Sequence, residues 1–512
     1  MYMLPGNIWV FSTAIVMALA SIILFGLNKK IPALIFLAGA AFIIRLYMAH
    51  MDAFLHDWDE KYHALVARNM MDNPFRPILK NGLSIPYDYK SWCCNYIWVH
   101  KQPLFMWQMA LGMKLFGVSE YAIRYPDVLM GTLMVLMLYR IGKLVTGNDT
   151  IGFMAAMFLC FSNYQLELIS GVHGMDHNDV AFGFYVLASI WAYTEYIKTG
   201  KFKWVVLVGI FAGGAVLNKW LTGLMVFSGW AVNILLHIRN KDTRREIGHM
   251  LAALIICTVV FLPWQLYILH TFPQEAAYEL SYNSRHLFEA VEGHKGDEWF
   301  YWNHFPEYIN IDLWKIVPAG IILAMVLKKY RGRYSIAVVV PLLAAYCFFS
   351  FMVTSKLQSY MFVVVPLMFI MMAITTGTVL QWIRVPVFVQ VILAGYFSFL
   401  LLNTNSIKNK HDPDDSYRQA KIHNTKVYKE LKDAMPADVK VVSNLPEFAD
   451  VECMFYNKGI TAYHYNPSRG EFKMLLEQRL RVAAFKDHSK YWIPEYMLDE
   501  TPYMYVIRRE LK

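Results

Sequence analysis

Residues 9–27 read WVFSTAIVMALASIILFGL, and after Asn28-Lys29-Lys30 residues 31–49 read IPALIFLAGAAFIIRLYMA. At about 1.5 Å of rise per residue, either run is long enough as a helix to cross roughly 30 Å of hydrocarbon. A helix also satisfies its own backbone hydrogen bonds where no water is present. The first run is too long for a signal-peptide core and no small-residue cleavage site follows it, so it is expected to stay as a helix.

Similar stretches recur at about 122–145, 151–170, 180–197, 204–218, 221–237, 249–270, 311–327, 335–353, 361–380 and 385–402. The expected fold class is therefore an all-α polytopic membrane bundle of about twelve spans over residues 1–402. Of the 512 residues, 57% are hydrophobic and 17% charged, against about 25% charged in an ordinary soluble chain. The net charge of +9 does not suggest a nucleic-acid partner, because positive loops on the cytoplasmic face are normal for such proteins. Lys29–Lys30, Lys198/Lys201/Lys203, Arg239/Lys241/Arg244/Arg245, Lys328/Lys329/Arg331/Arg333 and Arg384 all fall on one side, which is predicted to be cytoplasmic. Both termini are then expected on the outer side.

The connections left on the outer side (50–121, 171–179, 218–222, 271–310 and 354–360) are aromatic and rich in functional groups. Polar residues gathered at one membrane face suggest a site there; a transport path would place ionisable groups mid-membrane in several helices. Within 50–121, residues 56–71 and 103–116 have the mixed patterning of membrane-surface helices. Residues 403–512 lack a spanning run. Helix-like stretches at 416–434 and 469–485 alternate with strand-like ones at 439–443, 460–464 and 504–507, which predicts a small outer, periplasmic α/β domain. Cys160, Cys257 and Cys347 fall in apolar helices, while a disulfide among Cys93, Cys94 and Cys453 is left open.

Two acidic clusters stand out. His56-Asp57-Trp58-Asp59-Glu60-Lys61-Tyr62 follows the second helix, and one of its carboxylates is placed to act as a general base. His173-Gly174-Met175-Asp176-His177-Asn178-Asp179 lies between two helices and has residue types that bind divalent ions. For both, capping of a helix N-terminus is the plainer alternative. Cations lie on the same face: Lys101, Arg124, Lys219, Arg285 with His286, and Lys356. Lys219 sits in a very tight turn between two apolar helices, where it either snorkels to headgroups or grips an anion. As a set, these cations around two acidic clusters point to an anionic lipid headgroup and a group-transfer reaction.

In this order the motifs resemble the GT-C membrane glycosyltransferases, especially the lipid A aminoarabinose transferases and protein O-mannosyltransferases. The resemblance rests on Asp59-Glu60 with Tyr62 (one residue short of the family spacing), Lys101-Gln102-Pro103-Leu104 with Trp107, and Arg124-Tyr125-Pro126. It continues through Asp179-Val180-Ala181-Phe182, with Asp176 as the competing second acid, and Leu217-Asn218-Lys219 near Gly223. Pro263-Trp264, Asn283-x-Arg285, Glu292-Gly293-His294, the aromatics of 299–302, and Ser355-Lys356-Leu357 with Tyr360 and Pro366 complete it. The first helix is an addition to the aminoarabinose-transferase plan.

The resemblance implies a sugar donor on undecaprenyl or dolichyl monophosphate, inversion at the anomeric carbon, and an acceptor that is a lipid, glycan or protein. It implies Asp59 as the base, with Glu60 beside it, and Asp179 or Asp176 as the positioning acid. Lys101, Lys219, Arg285, Lys356, Tyr360 and Arg124 would hold the departing phosphate, and His294, His177 and Tyr62 would line the pocket. It implies no cofactor and no metal, and a place in the bacterial inner membrane with the site facing the periplasm. A diphosphate-donor relative, which needs a divalent ion, and a lipid or anion transporter are the competing readings.

Overall fold

The described residues of all twelve apolar stretches are mainly helical in the computed structural model, which describes residues 6–80, 87–91, 94–173, 178–310, 312–486, 492–499 and 502–512. Among the described residues, nine helices are long and apolar enough to span a membrane: Ile8–Gly26, Lys30–Ala49, Tyr125–Thr146, Asn178–Thr199, Phe202–Lys219, Thr243–Thr271, Arg333–Met352, Val365–Trp382 and Val387–Lys410. The protein is a multi-pass membrane protein. The other three stretches are divided. Residues 151–170 become Asp149–Cys160 and Asn163–Ser170, residues 221–237 open with the 3-10 turn Trp220–Met225, and residues 311–327 open with another at Asp312–Ile316.

The first of these breaks has a clear cause. Arg45, fully buried within Lys30–Ala49, donates to the carbonyls of Leu159 (3.1 Å), Cys160 (3.3 Å) and Ala41 (3.0 Å) and to the Gln165 side chain (2.5 Å). The break at Phe161–Ser162 releases carbonyls for a guanidinium that cannot stay unpaired in an apolar interior. Gly131 makes the room, since a Cβ there would lie 2.7 Å from Arg45 Nε.

Ion pairs hold the opposite end of the bundle, where the short basic loops lie. Lys30 and Lys143 both bind Asp149 (2.7 and 2.6 Å), and Arg333 binds Glu246 (2.7 Å). At the other end, Asp59–Met70 and Pro103–Phe116 form the expected helices of the first long loop.

The C-terminal part contains a four-stranded parallel sheet in the order β2-β1-β3-β4, with β1 Val439–Ser443, β2 Thr461–Ala462, β3 Arg481–Phe485 and β4 Met504–Ile507. The sheet corrects one expectation. The helix anticipated over 469–485 is Arg469–Glu477, and the chain then reverses through Arg479 at φ +56° into β3. Arg479 and Leu480 donate back to the carbonyls of Leu476 and Leu475, a left-handed C-terminal cap. Val482–Phe485 are buried on both faces, as an interior parallel strand requires, so they lack the alternation that marks a strand in sequence.

Buried charge joins this part to the membrane bundle. Asp52 is fully buried, with Arg418 Nε and His411 Nδ1 each at 2.8 Å and His56 Nε2 at 3.0 Å. Asp57 pairs with Lys421 (2.6 Å) and Lys61 (2.9 Å), and Lys61 reaches Glu452 at 3.1 Å. Burial alone would raise the Asp52 carboxyl, but hydrogen bonds and charge from His411 and His56 outweigh it and hold it far below the usual range.

Two outcomes are expected. Arg45→Met leaves the carbonyls at the break without donors, at about 1–3 kcal/mol for each buried unsatisfied group. It should therefore lower the melting temperature of the detergent-solubilised protein by several degrees. A carboxyl depressed in the folded state contributes stability above its unfolded value near 3.9 and loses it as pH falls. Protease cleavage between residues 403 and 416 should thus rise as pH drops below about 4, and Asp52→Asn should flatten that pH dependence.

Candidate functional site

The turn that leaves Lys30–Ala49 is built around one cation. Arg124, with no exposed surface, donates from Nε to Glu60 Oε1 (2.8 Å) and from Nη2 to Glu60 Oε2 (3.2 Å). It also binds the carbonyls of Ala49 (3.1 Å), Asp52 (2.8 Å) and Phe54 (2.8 Å). Glu60 accepts from the His56 amide as well, at 2.6 Å. Neither Glu60 nor Arg124 reaches the cavity described next, so the expectation that they act in catalysis and phosphate binding gives way to a structural clamp.

Beside this clamp opens a cavity of about 1780 Å³. Asp59 lies on one wall, in the first turn of Asp59–Met70, where a carboxylate suits the positive end of the helix dipole. Lys101 Nζ is 3.6 Å from Asp59 Oδ2, and Pro103, two residues further on, starts the next helix. Asp179, in the first turn of Asn178–Thr199, faces the cavity from the bundle and binds Lys219. Lys219 is the last residue of its helix, where a cation suits the negative end of the dipole, and its ammonium lies 5.6 Å from the centre of the Tyr360 ring. Lys219 also lines the cavity.

The remaining wall is mixed. His100 pairs with Glu279 (2.8 Å) and His173 with Glu167 (2.7 Å), and both imidazoles line the cavity together with Tyr164, Tyr282, His286 and His294. Burial pushes His286 down, with the charges of His100, Lys101 and His294 adding to it and Glu292 opposing. One flank is apolar: Leu221, Phe351 and Met352 line the cavity and are exposed. Among the described residues, no group of three His, Cys, Asp or Glu is placed to share a metal ion.

Of the residues expected at the site, Asp59, Lys101, Asp179, Lys219, Tyr360 and His294 meet at this cavity. Asp176 and His177 lie outside the described residues. Besides Glu60 and Arg124, three others are elsewhere. Lys356 is buried, and its Nζ donates to the carbonyls of Phe349 (2.6 Å), Ser350 (2.8 Å) and Val353 (2.6 Å) at the end of a π-helical turn. An ammonium has three donors, so none remains for a phosphate. Arg285 is exposed and binds Glu289 four residues on, at 2.8 Å. Tyr62 is buried against Trp98 and Phe448, off the cavity. Sequence reading passed over His100, Tyr164 and Glu167. Glu167, a lone acid inside an apolar stretch, carried a usable signal.

A family model described as dolichyl-phosphate-mannose-protein mannosyltransferase matches residues 100–267. YycA of Bacillus subtilis is 23% identical over 204 residues, 40% of this chain and 29% of that protein, so the match spans under a third of that relative. An undecaprenyl phosphate-alpha-4-amino-4-deoxy-L-arabinose arabinosyl transferase of Proteus mirabilis is 23% identical over 322 residues, 60% of this chain and 53% of that one. Among solved structures, ArnT from Cupriavidus metallidurans bound to undecaprenyl phosphate superposes with a TM-score of 0.65 at 14% identity, covering 93% of this chain and 96% of that one. The Archaeoglobus fulgidus oligosaccharyltransferase gives 0.54 at 13% identity, covering 85% and 64%. A helical membrane bundle with a cavity at one end, carrying the motifs in this order, has the GT-C glycosyltransferase fold and resembles the arabinosyl and mannosyl transferases within it.

Proposed function

We propose that the protein is a glycosyltransferase that takes a monosaccharide from a polyprenyl monophosphate and passes it, with inversion, to an acceptor hydroxyl on a lipid, glycan or protein. The observation that carries this is the pairing of Asp59 with Lys101 and of Asp179 with Lys219 across one cavity that has an exposed apolar flank. Such a flank suits a long prenyl tail. The basic clusters at the opposite end of the bundle favour a site on the periplasmic side of a bacterial inner membrane.

In this reading Asp59 takes the proton of the acceptor hydroxyl as its oxygen attacks the anomeric carbon from the side opposite the phosphate. The bond from that carbon to the phosphate oxygen breaks, and the polyprenyl phosphate leaves with the electron pair. Lys219, held by Asp179 and set against Tyr360, lies where that negative charge grows. Lys101 holds Asp59 in place. None of these steps calls on a metal ion, since the leaving group is a monophosphate met by fixed cations.

Asp59→Asn should lower transfer by about 10²–10⁴, the range for a general base, while binding of undecaprenyl phosphate, measured by native mass spectrometry, stays near wild type. Full turnover by this variant would remove Asp59 as the base. Lys219→Gln keeps a hydrogen bond to Asp179 but loses the charge. Charge-assisted hydrogen bonds are worth about 1.5–3 kcal/mol, so undecaprenyl phosphate should bind roughly 10–100-fold more weakly, and unchanged affinity would leave Lys219 without a role in holding it.

A further inference from the structure

The loop that leaves the carboxyl end of β1 packs on Trp58, a residue that lines the cavity. Asn444 and Phe448 both sit at positive φ, +62° and +63°, and Asn444 Nδ2 anchors the loop by donating to the Phe485 carbonyl at 2.8 Å. The Phe448 ring then packs on Trp58, with centroids 4.4 Å apart, and meets the edge of Tyr62 at 6.5 Å. Trp58 immediately precedes Asp59 and lines the cavity, whereas Phe448 does not. Trp58 is itself held at φ +64°, ψ −116°. A side chain in so sparsely populated a region persists only when its surroundings hold it there, and such strain costs about 1–3 kcal/mol. The same short segment is gripped on both sides from the C-terminal part: Asp57 by Lys421 (2.6 Å) and Tyr417, and Lys61 by Glu452 (3.1 Å).

We infer that Phe448 of the C-terminal α/β part is a positioning residue for Asp59, acting through the strained Trp58, which lines the cavity. This rests on the reading of Asp59 as the base. The sheet-bearing part is then a brace for the reacting group as well as an appendage outside the membrane. A base must lie within hydrogen-bond reach of the proton it takes, and a displacement of about 1 Å can cost on the order of 10²-fold in rate. An aromatic ring on one side of Trp58 and ion pairs on Asp57 and Lys61 oppose such a displacement.

The test uses the full-length protein in nanodiscs. Native envelope extract supplies donor and acceptor, and released undecaprenyl phosphate is followed by mass spectrometry. Phe448→Ala should lower turnover tenfold or more, with the affinity for pure undecaprenyl phosphate within twofold of wild type and the melting temperature little changed. Phe448→Tyr should restore at least half the rate, and Trp58→Ala with Phe448→Ala together should be no slower than Trp58→Ala alone. If Phe448→Ala does not fold, Phe448→Leu keeps the apolar volume without the ring and should show the same loss. Turnover within twofold of wild type, a parallel loss of lipid affinity, or a Tyr variant as slow as the Ala variant would overturn the inference. Asp59→Asn measured alongside separates the two readings. If it stays active, the base is misassigned and this inference falls with it. If it is inactive while Phe448→Ala is normal, only the positioning role fails.

Discussion

The structure around the cavity depends on where the chain goes after its second helix, and the Arg124–Glu60 pair decides that. A guanidinium and a carboxylate with almost no exposed surface are costly to remove from water and are tolerated only when their hydrogen bonds are met. Here they are met by each other and by three carbonyls of the turn after Ala49. Gly171 closes the same point from a third direction: at φ +86°, a Cβ there would lie 2.7 Å from Glu60 Oε2. The entrance to Tyr125–Thr146, the first long loop and the turn after Asn163–Ser170 therefore meet at one place. Asp59, one residue before Glu60, is delivered to the cavity wall as a consequence.

The charges that do face the cavity share a second feature: several sit at helix ends. Asp59 and Asp179 occupy first turns and Lys219 a last position. Helix dipoles favour those charges at those ends, so opposite charges can be kept near an apolar bundle at reduced cost. Placing these charges at helix termini also puts them where the bundle stops.

The C-terminal sheet contributes through its edge loops and helices. Asp52, Asp57 and Lys61, all in the first long loop, take their partners from residues 411–452. The first long loop and the C-terminal part thus hold each other beside Trp58 and Asp59, which line the cavity. In amino-acid sequence these residues are far apart, and nothing in their spacing pairs them.

What the sequence decides by itself is what depends on short range. Runs of apolar residues long enough to cross hydrocarbon become helices because the backbone has no other way to satisfy itself there. Basic residues in short loops mark one face, and the polar motifs, read in order, fall on the other. Six of the expected site residues meet at one cavity, three of them (Asp59, Asp179 and Lys219) at helix ends and the others on segments beside them. The folded structure decides which charges are already spent, in local pairs as well as distant ones. Lys356 gives its three donors to carbonyls of its own turn, Arg285 turns to Glu289, and Arg124 closes on Glu60. It also decides that residues 151–170 break to serve Arg45 and that 481–485 form a strand between two others. The physical reason is common to all of these: a buried polar group takes whichever partner the packed chain brings within about 3 Å, and that distance is a property of the whole fold.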